Sequence, residues 1–269
     1  ELRTVSRWFN AISVSASIEQ LNTISNFPYV VNIEPVYSGK RIGAEIEIKH
    51  YPEVNRYDYG NSYEQLEQIN VIAMHEQGFT GIGTRILVLD SGFYLEHEAF
   101  DSLNVIDAYD FVNQDTIVSN EVGDPSNQHN HGTQVLSVLA GFKPETMIGS
   151  AYGAEFLLGK TEDISGEYHS EEDNYIEGLE WGESLGADIV SSSIGYIAWY
   201  TQDDLDGQTA AITKAVNIAI ELGMVVVTAV GNSGTSGIVA PADAFDVISC
   251  GAVDDNGIIA YSSSRGPTA

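Results

Sequence analysis

The 269-residue sequence is 43% apolar, enough for one large core and a smaller attached module. Its 11 Lys and Arg stand against 39 Asp and Glu, a formal charge of −28, so the surface field repels phosphate backbones and acidic headgroups. That argues against nucleic acid and membrane surfaces as partners, and no apolar run approaches the roughly 18 residues of a membrane span.

The single cysteine, Cys250, excludes an internal disulfide, and the apolar stretch 246–253 around it predicts a buried thiol. The sequence opens at Glu1 without a charged-then-apolar leader, so export has to be argued from elsewhere.

Taken in chain order, residues 9–16 alternate, with Ile12 and Val14 opposed to Ser13 and Ser15, and predict a half-buried strand. Ser17 and Gln20 make a capping-box pattern ahead of a short helix bearing Ile18, Leu21 and Ile24. Pro28 stops that helix, and residues 29–33 read as a second strand. Such a small α+β module holds little core and is expected to lean on something larger. From 38 to 62 the pattern decays into Gly, Pro, Tyr and charged residues, a linker; the division into domains is set at 1–58 and 59–269.

Beyond the linker, helices are predicted over 63–77, 132–140, 171–185 and 209–222. Strands are predicted over 85–89, 155–159, 188–194, 224–230, 247–253 and 258–262. Near-continuous apolar strands separated by helices imply an α/β fold, a parallel sheet flanked by helices on both faces.

In open parallel sheets reactive groups gather at the carboxyl ends of strands. Three polar groups stand at such places: Asp90-Ser91-Gly92 after 85–89, His131-Gly132-Thr133 opening a helix, and Gly231-Asn232-Ser233-Gly234 after 224–230. Each alone reads as a turn or a solvated helix start before it reads as a site. Together, an acid, a base and an amide donor in this order resemble the subtilisin-like serine proteases. Three more segments agree: Ser193-Ile194-Gly195, Pro241-Ala242-Asp243, and Tyr261-Ser262-Ser263-Ser264-Arg265-Gly266-Pro267-Thr268. The resemblance runs over about 63–269.

The resemblance implies roles. Asp90 would orient His131, and His131 would take the proton of the attacking hydroxyl and return it to the leaving amine. Asn232 would donate to the oxyanion. Ser193, Ile194 and Gly195 would pair with an extended substrate, while Ala229, Val230 and Gly231 would line the primary specificity pocket. Gln134 stands where many members carry a second His.

The family places its nucleophile in a Gly-Thr-Ser-Met-Ala-like motif well downstream of the Ser-Arg-Gly-Pro stretch, and the sequence reads to Ala269, so no nucleophile is expected in it. Gly234-Thr235-Ser236 follows the oxyanion loop directly and is read as coincidence. Residues 7–37 resemble the latter part of an inhibitory propeptide, with processing expected within 48–62. The implied partners are protein or peptide substrates and the chain's own propeptide, with an extracellular location. A binding or scaffold protein that kept the fold without the chemistry is the alternative.

Metal signals are weaker. The chemistry requires no cofactor, and structural calcium is left open. Gln202, Asp204, Asp206 and Gly207 approach a calcium loop, but Gln stands first and Thr213 twelfth, which reads as a solvated acidic loop. His129 and His131 lack zinc spacing. Glu167, Glu171, Glu172 and Asp173 precede and enter a helix's first turn, where the macrodipole favours them; a role with basic substrates is the other reading.

Overall fold

The apolar runs become the strands of one parallel sheet in the computed structural model, which describes residues 2–35, 38–39 and 59–269. The N-terminal module contributes β1 (Leu2–Ser6), β2 (Ala11–Val14), α1 (Ile18–Ile24) and the short β3 (Ser38–Gly39). Then follow α2 (Tyr63–Gln68), α3 (Val71–Glu76), β4 (Arg85–Asp90), β5 (Asn104–Asp110) and α4 (Asn130–Ala140). The two-residue pair β6 (Phe142–Lys143) and β7 (Met147–Ile148) leads to β8 (Glu155–Lys160), β9 (Glu167–Tyr168) and α5 (Ser170–Ser184). Last come β10 (Ile189–Ser192), α6 (Ala211–Glu221), β11 (Val225–Ala229) and β12 (Ile248–Cys250). The main sheet has the order β12-β11-β10-β4-β8-β5, with adjacent strands parallel.

Two cores sit on the two faces, sorted by the period of two along β4. Leu87 and Leu89 pack with Leu157, with Tyr175, Ile176 and Leu179 of α5, and with Val216 of α6. Ile86 and Val88 point the other way, against Phe156, Leu158, and Leu136 and Ala140 of α4. Burying each such side chain contributes about 1.5–3 kcal/mol, and truncating one to Ala costs about 2–5 kcal/mol. The expected architecture, a parallel sheet covered by helices on both faces, is the one observed.

The N-terminal module leans on this body through β1, which packs on α5. Its β1 and β2 pair antiparallel, and α1 carries the expected capping box: Gln20 N–H donates to Ser17 Oγ at 3.3 Å and Ser17 N–H to Gln20 Oε1 at 2.8 Å. No residue of α1 is buried.

Several boundaries depart from the sequence reading. Residues 63–77 form two helices because Asn70, at φ 61, breaks the run in the left-handed region. Residues 29–33 are irregular, and 258–262 make a single bridge between Val253 and Ile259 in place of a strand. The unexpected strands β1 and β5 carry charged or polar residues at alternate or irregular positions, and the register of β5 shifts between Val105 and Asp107. Cys250 is exposed, contrary to expectation, because β12 is the edge strand of the sheet and all three of its residues face out. The linker assignment falls mostly on 40–58, outside the described residues, and so does most of the expected processing region.

Candidate active site

From β4 the sheet extends one way to β8 and β5 and the other way to β10, β11 and β12. β4 is therefore the switch point, and its carboxyl end is where such a sheet opens a crevice. Asp90, the last residue of β4, is fully buried there.

Asp90 Oδ1 accepts the Ser91 N–H at 2.7 Å and lies 2.7 Å from Nδ1 of His131, the second residue of α4. The acid has no exposed side-chain surface, while the imidazole is 44% exposed. With Nδ1–H directed at the carboxylate, a neutral ring carries its lone pair on Nε2, the basic nitrogen.

Gly132 explains how the helix comes this close. A Cβ there would stand 2.2 Å from the Gly92 carbonyl oxygen and 3.0 Å from the Cβ of Asp90, so a side chain at 132 would push the imidazole off the acid. The first turn is tied further by Thr133, whose Oγ1 donates to the His129 carbonyl at 2.6 Å and accepts from Tyr94 N–H at 2.8 Å.

The loop before α4 is held at both ends. Asn120 N–H donates to His129 Nδ1 at 3.0 Å, and His129 N–H returns to Asn120 Oδ1 at 2.9 Å. Burial, reinforced by the Lys160 charge, pushes the His129 imidazole down, in keeping with a neutral acceptor. Lys160 pairs in register with Asp90 and directs its ammonium to Asp110 at 2.8 Å and Asp124 at 3.0 Å. Asp110, Asp115 and Glu121 place carboxylate oxygens within 4.8 Å of one another, but the protein's own ammonium already faces this group.

Ser193, Ile194 and Gly195 leave β10, one strand from β4, and Tyr196 then exchanges backbone bonds with Ala240 at 2.8 and 3.0 Å. Ala229, Val230 and Gly231 leave β11, two strands from β4; Val230 N–H donates to the Cys250 carbonyl at 3.0 Å. Asn232 is exposed in the following turn, which the 261–268 stretch latches: Ser264 N–H donates to Gly231 O and Ser233 N–H to Ser264 Oγ, both at 2.9 Å. The structure thus brings Asp90 and His131 into contact and sets Asn232, 193–195 and 229–231 along the same carboxyl edge. Gly234–Ser236 is a single 3-10 turn. Beyond β8, β9 pairs antiparallel with β3 of the same chain.

The acid run at the start of α5 is mostly interior. Glu171 accepts Asp163 N–H and Tyr168 N–H, each at 2.9 Å. Glu172 accepts from Trp199 Nε1 at 3.0 Å and the Tyr200 hydroxyl at 2.9 Å, and burial pushes its carboxyl up to about 7. In the 202–207 loop, Asp206 Oδ1 is taken by the N–H groups of Gln208 and Thr209, and Asp204 by Thr201.

Sequence reasoning passed over Gln128. It lies in a polar, aperiodic stretch, and its burial follows from tertiary closure that no local pattern announces.

Residues 81–269 match the Peptidase S8 family, the subtilase family. The chain is 29% identical to Subtilisin BL of Lederbergia lenta over 194 residues, 71% of this chain and 63% of that protein. It is 33% identical to Subtilisin E of Bacillus subtilis (strain 168) over 208 residues, 75% of this chain and 49% of that protein. Among solved structures, the prenylagaramide maturation protease PagA superposes with a TM-score of 0.58 at 20% identity, covering 74% of this chain and 64% of that one, a likeness of fold. The chain spans less than two thirds of the length of these curated relatives.

Proposed function

The chain belongs to the subtilase family, and from that premise we propose that it supplies the acid, base and oxyanion donor of a serine endopeptidase. The observation that carries this is the 2.7 Å contact between a fully buried carboxylate and a half-exposed imidazole at the switch point of the sheet. In this reading His131 Nε2 takes the proton from a serine hydroxyl as it attacks the scissile carbonyl. Asp90 holds Nδ1–H and stabilises the imidazolium that forms, and the proton then passes to the leaving amine. Asn232 receives the oxyanion. Residues 193–195 on one side and β9 on the other offer backbone to an extended substrate, and 229–231 floor the primary pocket. In this reading the nucleophile would be a serine of a Gly-Thr-Ser segment such as the family carries. The chemistry needs no cofactor.

The N-terminal module acts in this reading as an intramolecular inhibitor. Two observations support it: β1 and the following turn dock on α5, and β3 occupies the edge of β9 that a substrate strand would use. In this reading the protein works outside the cell, which its family membership supports; no helix among the described residues is long and apolar enough to cross a membrane.

Labelling with a fluorophosphonate tests the assignment. The chain extended downstream through its Gly-Thr-Ser motif is expected to take up one label per molecule, and His131→Ala to abolish uptake. Equal labelling of the two proteins would remove His131 from the mechanism.

A further inference from the structure

Gln128 stands three residues before His131, and its side chain is almost wholly buried, at 1% exposure. Its amide is used by three backbone groups from two other segments. Nε2 donates to the Ser91 carbonyl at 2.7 Å and to the Glu162 carbonyl at 2.5 Å, and Oε1 accepts Ile164 N–H at 3.1 Å.

Each segment matters to the site. Ser91 follows Asp90 directly, and its N–H bonds the same carboxylate oxygen that faces His131. Residues 162–164 leave β8 and lead to β9, the edge on which β3 lies. Gln128 itself opens the path into α4, where His131 sits.

A primary amide is the side chain that can serve two carbonyls and one N–H at once: two N–H donors and a carbonyl acceptor on one planar group. Asn is one methylene shorter; Glu keeps the acceptor and loses both donors; Met keeps the length and loses all three bonds. Because the three bonds go to main chain, the amide fixes distances between backbones.

We infer that Gln128 is a positioning residue that sets the spacing between the Asp90–His131 pair and the β9 edge where substrate backbone binds. It touches neither reacting atoms nor substrate. It acts through Ser91 on the acid and through residues 162–164 on the edge strand, so it ties proton transfer to substrate register. This rests on the peptidase reading for its consequence in catalysis, and on geometry alone for the tie itself.

The tie is tested first in the unaltered 269-residue chain by 15N NMR of the Gln128 side-chain amide. Both N–H signals are expected to be distinct, protected from solvent exchange, and displaced as His131 titrates. An amide that exchanges as fast as an exposed Gln overturns the proposal, whether or not any variant folds.

The consequence is tested in the downstream-extended protein with Gln128→Met and Gln128→Glu. For each, kcat and KM are measured on a peptide series of increasing length, at a temperature where circular dichroism shows the fold intact. Both variants are expected to lower kcat about tenfold and to flatten the gain in kcat/KM with peptide length. A lowered Tm with kcat and length dependence within twofold of wild type overturns the proposal, because a merely structural residue would give that pattern. If the wild-type extended protein is itself inert while the Gln128 amide is protected and follows His131, the peptidase reading fails and the tie stands.

Discussion

The Ser6 hydroxyl donates to the buried carboxylate of Glu180 at 2.6 Å, fastening the N-terminal module to α5. The same carboxylate accepts Arg7 N–H at 2.8 Å and Trp8 N–H at 3.1 Å, while the Arg7 guanidinium reaches it at 3.2 Å. One acidic side chain thus closes the turn between β1 and β2 and anchors it.

Glu180→Ala should therefore free the module without unfolding the sheet. Hydrogen bonds to a charged group contribute about 1.5–3 kcal/mol each. Amide exchange at Arg7 and Trp8 is expected to accelerate more than tenfold, with exchange in β4 and β8 unchanged. In the downstream-extended protein the same change is expected to shorten the lag before activity.

Lys160 is buried to 1% with its ammonium on Asp110 and Asp124. Burial works against its charge, but the two carboxylates outweigh burial and raise the pKa overall. Lys160→Met leaves the buried Asp110 carboxylate, with the partly exposed Asp124 beside it, facing an apolar tip and should cost about 3–5 kcal/mol, read as a fall in the urea midpoint at pH 7. The stabilisation from a raised lysine pKa is full below the unfolded value and fades as pH rises through the folded one, so the wild type should weaken at strongly alkaline pH. The variant should lack that step.

Glu172 gives a slope of the same sign in a lower window. Burial raises its carboxyl to about 7 in the folded chain from 4.5. Between those values the unfolded chain has released a proton that the folded chain keeps, so stability falls as pH rises from about 4.5 to 7. The loss is on the order of 3 kcal/mol. Thermal melts across this range should show a decline that Glu172→Gln removes, since Gln retains an acceptor for Trp199 Nε1 and the Tyr200 hydroxyl. A decline of equal size in the variant would assign the pH dependence to other groups.

Cys250 lies exposed on the edge strand β12, beside the exposed Ile248 and near Val253 and Ile258. Native chain should react with a thiol reagent at a rate within about tenfold of the urea-unfolded chain. Protection of a hundredfold or more would mean that this edge is covered in solution.

The legible parts of the fold were those with strong local patterns. The four apolar runs 85–89, 155–159, 188–194 and 224–230 gave the four inner strands because a parallel strand buried on both faces is a continuous apolar word. β5 escaped because it sits at the edge and carries Asn104, Asp107 and Asp110. Cys250 was misread for the same reason in reverse: its apolar neighbours suggest an interior, and edge position overrides them. At the site, Asp90 and His131 could be named because strand end and helix start are sequence-visible. Gln128, Lys160 and Glu180 could not, since each owes its role to partners more than 30 residues away or to burial that only closure of the chain creates.

The central claim is that His131, oriented by Asp90, is the base of a peptidase. The direct measurement is casein hydrolysis by the downstream-extended protein as wild type, His131→Ala and Asp90→Asn, each shown to be folded. The account predicts turnover by the wild type, a loss of about a million-fold in His131→Ala and about ten-thousand-fold in Asp90→Asn, magnitudes measured on enzymes of this kind. A folded wild type without turnover, or a His131→Ala protein that cleaves as fast, would contradict it.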